Sequence, residues 1–275
     1  MSTPTLSFIG AGNMARAMIG GLLANGHPAD RIWVSAPEDS HLQAMGRDFG
    51  VFYTTDNRYC AEQGDVLVMA VKPNIMAEVC RDVVSVVQNT RPLVVSIAAG
   101  LDTATLGRWL GGGVPLVRCM PNTPSLVGQG ASALFATPEV SEAQQEQVST
   151  LFEGIGMTLW LEDEEQMHAV TGLSGSGPAY FFLMLEALEE AGVEAGLPAE
   201  TARRLAIQTM GGAARMAAES EHDPARLKRN VMSPGGTTEQ AINTLETGHL
   251  RDLVKQAHKA AMSRSRTMQK ELSQG

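Results

Sequence analysis

Apolar residues along this chain fall into two regimes. Between residues 5 and 161, short runs rich in Val, Ile, Leu and Phe alternate with longer stretches whose apolar positions recur at helical spacing. The strand candidates are TLSFIG (5–10), RIWVSA (31–36), VFYTT (51–55), DVLVMAV (65–71), PLVVSIA (92–98), VPLVRCM (114–120), SALFAT (132–137) and MTLWLE (157–162). Runs such as VLVMAV are apolar on both faces of a pleated strand, which requires helices on both sides of the sheet. NMARAMIGGLLANG and SEAQQEQVSTLFEGIG supply such helices. This alternation predicts an α/β fold with a doubly wound, mostly parallel sheet.

Beyond residue 163 the strand pattern stops. The acidic cluster EDEEQ (162–166) suits the first turn of a helix, where carboxylates complement the dipole. Helical patterns then follow one another to the end of the chain, with Gly and Pro marking the joints at 196–198, 223–224 and 248. The expected division is an α/β domain over residues 1–163 and an all-helical domain over 164–275. Within the latter, AYFFLML (179–185) is apolar on every side, and so short a domain offers little core in which to bury it. The alternative is burial against a second copy, so a homodimer through the helical domain is expected.

Composition narrows the function classes. With 44% hydrophobic and 19% charged residues the chain has the balance of an ordinary globular protein, and no apolar run reaches the ~18–20 residues of a membrane span. The segment MSTPTLSFIGAG lacks the basic region and cleavage site of a secretory signal, so a cytoplasmic location is expected and no membrane partner. A net charge of −9 argues against nucleic acid as partner. Any anionic ligand must then be held by local backbone donors. The three cysteines, Cys60, Cys80 and Cys119, have no disulfide or zinc spacing, and the six histidines form no ligand set, so no metal is expected. Of the histidines only His168 lies near the domain junction.

Directly after the first strand stands GAGNMA, with Gly10, Gly12 and, at the third position, Ala15. It follows a strand and opens a helix, the context of a Rossmann dinucleotide site. Gly10 allows the tight turn, Gly12 lets the backbone approach a pyrophosphate, and the helix start at Asn13 and Met14 offers free N–H groups to it. The second strand ends in Ser35-Ala36-Pro37, without the carboxylate that NAD-specific folds place against the ribose 2′-hydroxyl. NADP fits this end, with NADPH preferred; no arginine follows at once to grip the 2′-phosphate, so NAD remains acceptable. Two further strand ends meet the same crevice: Ala70, Val71, Lys72 and Pro73 in AVKP, and Ala98, Ala99 and Gly100 in SIAAG, where small residues suit a flat ring. Lys72 is either a ligand contact or an ordinary surface lysine.

FIGAGNMA, AVKP, SIAAG, RCMPNTP (118–124), TGLSGSGPAY (171–180) and SPGGTT (233–238), in this order and spacing, closely resemble the pyrroline-5-carboxylate reductase family over nearly the whole chain. The last two motifs are the specific ones. The resemblance implies a Rossmann domain followed by a helical dimerisation domain, an assembly built as a decameric ring of dimers, and hydride transfer from NAD(P)H to pyrroline-5-carboxylate to give L-proline. It implies that Ser233, Gly235, Gly236, Thr237 and Thr238 bind the substrate, in a loop contributed by the same or the neighbouring subunit, with Glu221 nearby. It makes Thr238 the proton donor to the ring nitrogen, Asn57 a contact of the adenosine ribose, and either Ser35 or Ala36 the match to the family's serine.

The residues bear on this chemistry independently. In SPGGTT, Pro234 is expected to stop the preceding helix, Gly235 and Gly236 to expose backbone N–H groups, and Thr237-Thr238 to begin the next helix. That is a carboxylate clamp. A threonine hydroxyl is a poor acid, so Thr238 either donates the proton or only orients the imine. Ser174 and Ser176 serve either packing or ligand contact, and Asn122 and Pro124 shape a loop at a strand end. Two rival functions stand beside this one. An NADP-dependent 3-hydroxyacid or 2-oxoacid reductase typically uses a lysine on the helix that TGLSGSGPAYFFLMLEAL forms here without one. A non-catalytic dinucleotide-binding regulator has no use for a second anion site.

Overall fold

A computed structural model describes residues 3–273. Packing divides the chain into two compact units: the first holds everything up to Ser176 together with the chain from Ala260 onward, and the second runs from Gly177 to Lys259.

The first unit is built on eight strands: β1 Leu6–Ile9, β2 Ile32–Ser35, β3 Phe52–Thr54, β4 Val66–Met69, β5 Leu93–Ser96, β6 Leu116–Met120, β7 Gly130–Ala136 and β8 Gly156–Trp160. All eight lie where the apolar runs place them. Their order in one sheet is β3-β2-β1-β4-β5-β6-β7-β8. Every neighbouring pair is parallel except β6 and β7, which run antiparallel. The order reverses direction between β1 and β4, and ligands of open parallel sheets bind outside the strand ends at such a switch point.

The central strands β1, β4 and β5 are buried at every position, as their apolar runs require. Helices α1 Asn13–Ala24, α2 Asp39–Phe49 and α6 Glu142–Glu153 carry the core of one face through Met18, Ile19, Leu42 and Phe152. On the other face α3 Asn57–Gln63, α4 Met76–Thr90 and α5 Thr103–Trp109 do so through Ala61, Met76, Val83 and Leu106. Ser141 and Gln144 form a reciprocal capping box at the start of α6.

The acidic cluster behaves otherwise than its composition suggests. Helix α7, Gln166–Val170, begins only at its last residue, Gln166, and has no acid in its first turn. Glu164 instead turns back onto the sheet, where its carboxylate accepts from the N–H and hydroxyl of Thr103 at 2.8 and 2.6 Å and from Arg118 at 2.9 Å. Arg118 is only 3% exposed. A buried guanidinium needs a partner more than a helix start needs a dipole complement, and the buried site takes the carboxylate. The first unit continues through a π-helical turn at Thr171–Gly175.

The second unit comprises α8 Gly177–Glu194, α9 Ala199–Glu219, α10 Pro224–Asn230, α11 Thr237–Thr247 and the opening turns of α12, Leu250–Ser273. Helices α8 and α9 pack together and are joined by the Arg203–Glu189 pair, Nη2 to Oε1 at 2.7 Å. Within this chain the AYFFLML face stays uncovered: Phe181, Phe182 and Leu183 are 62%, 64% and 66% exposed. Among the described residues no helix is long and apolar enough to cross a membrane.

Candidate active site

The cofactor residues predicted from the sequence gather at the carboxyl ends of β1, β2, β4 and β5. Gly10 adopts φ +112°, and a Cβ built there would lie 2.4 Å from the Ala70 carbonyl oxygen and 3.1 Å from Val71 Cγ1. Its N–H donates to the Ser35 carbonyl at 2.7 Å, so three strand ends are tied at one glycine. Gly12 is different in kind. It begins α1 as the N-cap residue, no side chain caps that end, and a Cβ there would meet nothing within 4 Å. The space in front of the helix N-terminus is therefore open, and Asn13 and Met14 offer it their N–H groups. A pyrophosphate fits this cradle.

At the end of β2, Ser35 is fully buried and its hydroxyl donates to Asn57 Oδ1 at 2.8 Å. Ala36 is also buried. The polar group that this corner presents outward is thus Asn57, the first residue of α3, half-buried and oriented by Ser35. Arg58 follows it, exposed, a cation that stands in α3 rather than directly after β2, where the 2′-phosphate partner is expected. Its signal in the sequence is its adjacency to Asn57.

At the β4 end Lys72 is exposed and Pro73 opens a short 3₁₀ turn. At the β5 end Ala98 is buried, Ala99 half-buried, and Gly100 takes φ +76°. A Cβ on Gly100 would meet Met268 Cβ at 3.2 Å and Leu272 Cδ1 at 3.3 Å. The last turns of α12 lie directly on this loop, and Gln269 Nε2 donates to Asp102 Oδ2 at 2.7 Å beside it.

Asn122 and the SGSG turn have structural partners. The Asn122 amide donates to the Ser174 carbonyl at 3.0 Å and accepts from the Ala131 N–H at 2.9 Å. The Ser174 hydroxyl donates to the Val170 carbonyl, and the Ser176 N–H to that of Thr171. His168 is 2% exposed, with Nδ1 2.9 Å from the Ser265 hydroxyl of α12. Burial lowers its pKa below the ordinary value. It is a packing residue that joins α7 to the end of the chain.

The residues expected to bind the substrate lie in the second unit. Glu221 is exposed on the loop after α9, and Ser233 to Gly236 form the turn before α11. Two details differ from the expectation. Helix α10 ends at Asn230, before Pro234, so the proline does not stop it. The glycine amides are also not bare, since Gly235 N–H donates to Glu239 Oε2 at 2.8 Å and Gly236 N–H to the Ser233 carbonyl at 2.9 Å. What the loop offers is the start of α11 itself, with Gly236 as N-cap, no side-chain cap, and the N–H groups and hydroxyls of Thr237 and Thr238 at its first two positions. Among the described residues no cluster of His, Cys, Asp or Glu could hold a metal ion.

The family model described as pyrroline-5-carboxylate reductase dimerisation matches residues 164–268, and that described as NADP oxidoreductase, coenzyme F420-dependent, matches residues 5–100. A pyrroline-5-carboxylate reductase from Pseudomonas aeruginosa is 48% identical over 274 residues, covering the whole of both chains. The chain belongs to the pyrroline-5-carboxylate reductase family. Solved reductases of this family agree in fold. One from Coxiella burnetii is 44% identical with TM-score 0.93 over 97% of this chain and 99% of its own. One from Plasmodium falciparum, solved with NADP bound, is 31% identical with TM-score 0.87 over 98% and 99%. The fold is therefore a Rossmann-like α/β domain followed by a helical dimerisation domain, and the chain is an oxidoreductase. The dimerisation match begins at 164, whereas compact packing divides the chain after Ser176.

Proposed function

We propose that this protein reduces 1-pyrroline-5-carboxylate to L-proline with NADPH, accepting NADH less well. The observation that carries the reading is a pair of helices, α1 and α11, each begun by a glycine and left without a side-chain cap. Each offers the free N–H groups of its first turn to an anion. One suits a pyrophosphate and the other a small carboxylate, which are the two anions of this reaction. Full-length relatives that carry this activity in their names support the same substrate.

When bound, the reduced nicotinamide supplies a hydride. The protein needs neither a nucleophile nor a metal for this step; it must hold and align the partners and exclude water. Gly10, Gly12, Asn13 and Met14 cradle the pyrophosphate, with Asn57 at the adenosine ribose. Ala70, Val71, Lys72, Pro73, Ala98, Ala99 and Gly100 line the crevice toward the ring. Ser35 acts through Asn57. Ser233 to Thr238 hold the substrate carboxylate through the α11 N-terminus, with Glu221 nearby, and charge-assisted bonds of roughly 1.5–3 kcal/mol each suffice for a small acid. As C5 of the imine gains the hydride, the ring nitrogen gains a proton. The Thr238 hydroxyl either orients that nitrogen by a hydrogen bond or relays the proton to it from water.

The exposed faces of α8 and α9, with Phe181, Phe182, Leu205 and Ile207, are what a homodimer would cover. Dimers then close into a larger ring in the cytoplasm, where sedimentation reads the assembly. The activity is tested by following NADPH consumption with pyrroline-5-carboxylate, and proline oxidation at high pH. Absence of turnover in both directions would overturn the proposal.

A further inference from the structure

The adenosine corner carries a charge pair that no strand-end motif describes. Asn57 is pinned from two sides: Oδ1 accepts from the buried Ser35 hydroxyl at 2.8 Å, and Nδ2 lies 3.3 Å from Asp82 Oδ2 on α4. Arg58 Nε donates to both Oδ1 and the carbonyl of the same Asp82, at 2.8 and 2.9 Å. Asp82 thus fixes two consecutive residues at the start of α3. Its side chain is 37% exposed and that of Arg58 60%, so both charges face solvent at this corner.

An asparagine amide has two N–H donors and an acceptor oxygen with two lone pairs. Ser35 and Asp82 use one of each, which leaves Asn57 one donor and one lone pair. That remainder serves a ribose hydroxyl and a phosphate oxygen alike, so Asn57 does not discriminate between them. Discrimination falls to the pair behind it. Arg58 attracts a 2′-phosphate, and its hydrogen bonds to Asp82 run through Nε. Asp82 repels the phosphate and neutralises Arg58.

We propose that Asp82 is the specificity-determining residue of the adenosine corner: it offsets Arg58 beside Asn57 and so keeps the site open to cofactors with and without a 2′-phosphate. The inference rests on the reading that Asn57 meets the adenosine ribose. It places the acid that governs the 2′ position on α4, reaching in from the side, rather than at the end of β2.

The test is equilibrium binding of 2′,5′-ADP and of 5′-AMP to the full-length protein, by calorimetry at low salt. In Asp82→Asn, which keeps an acceptor for Arg58, the affinity ratio of 2′,5′-ADP to 5′-AMP should rise about three- to tenfold, and the gain should shrink in high salt. In Arg58→Gln the ratio should fall by a similar factor while 5′-AMP binding holds. An unchanged ratio in Asp82→Asn, or equal loss of both ligands there, would overturn the proposal and leave Asp82 a scaffold residue. Failure of the wild-type protein to bind either nucleotide would instead sink the reading of the crevice, and the inference with it.

Discussion

Glu164 closes on Arg118 at 2.9 Å, and the same carboxylate takes the N–H and hydroxyl of Thr103. One acid from the cluster after β8 thus holds the start of α5 and neutralises a guanidinium that is 3% exposed. Such a pair adds little net stability relative to an apolar replacement, but breaking it leaves a buried charge alone. Glu164→Gln should lower the unfolding free energy by roughly 2–4 kcal/mol in denaturant titrations. Replacing both partners, Arg118→Met with Glu164→Leu, should cost less than the single change. A double variant worse than the single would show that the contacts to Thr103, not the charge, dominate.

His168 gives the first unit a pH dependence. Burial lowers its pKa below 6.5, with Arg118 and Arg266 acting in the same direction against Glu165 and Glu164. The unfolded chain therefore takes up the proton at higher pH than the folded one. Stability is full above 6.5 and declines as the pH falls from there toward the folded value. His27 is lowered for the same main reason and contributes its share. Thermal unfolding between about pH 5 and 7 should show this decline, and His168→Asn should make it shallower without abolishing it. An identical slope in the variant would remove His168 from the account.

Gly10 and Gly12 should respond differently to alanine. At Gly10 the positive φ and a Cβ placed 2.4 Å from a carbonyl oxygen force the backbone apart, at about 3 kcal/mol or more. At Gly12 the Cβ meets no protein atom, so the stability change should stay within about 1 kcal/mol, the cost of alanine at an N-cap. NADPH affinity should nonetheless fall in both. Fluorescence titration alongside melting separates the two, and normal cofactor binding by Gly12→Ala would empty the space before α1 of its proposed occupant.

Thr238→Ala separates positioning from proton donation. A hydroxyl that only orients the imine is expected to raise KM for the substrate about tenfold, with kcat nearly retained. A fall in kcat of ~100-fold or more at unchanged KM would instead place the hydroxyl on the proton path.

How much of this the sequence carried depends on the kind of contact. The eight strands were legible because VLVMAV and its counterparts are apolar on both faces, a pattern that only a covered sheet accommodates. GAGNMA and SPGGTT were legible because glycines at helix starts leave a mark in the sequence itself. The antiparallel turn of β7 was not, since a strand's periodicity is the same in either direction. Nor was Glu164, whose partners Thr103 and Arg118 lie far off in the chain and whose acidic neighbours look identical to it. Arg58 and Asp82 likewise meet only once α3 and α4 are packed side by side.

The α/β unit is not contiguous in the chain. Its last layer, with Ser265 on His168, Met268 on Gly100 and Gln269 on Asp102, comes from the end of α12. On the ribosome the eight strands emerge first, and the whole helical unit follows before these residues appear. The loop at Gly100 can therefore reach its final packing only after the last turns of α12 have been made. A nascent chain stalled in α11 should pair its strands yet lack the brace over that loop, so the α/β unit is finished by residues made after the helical unit.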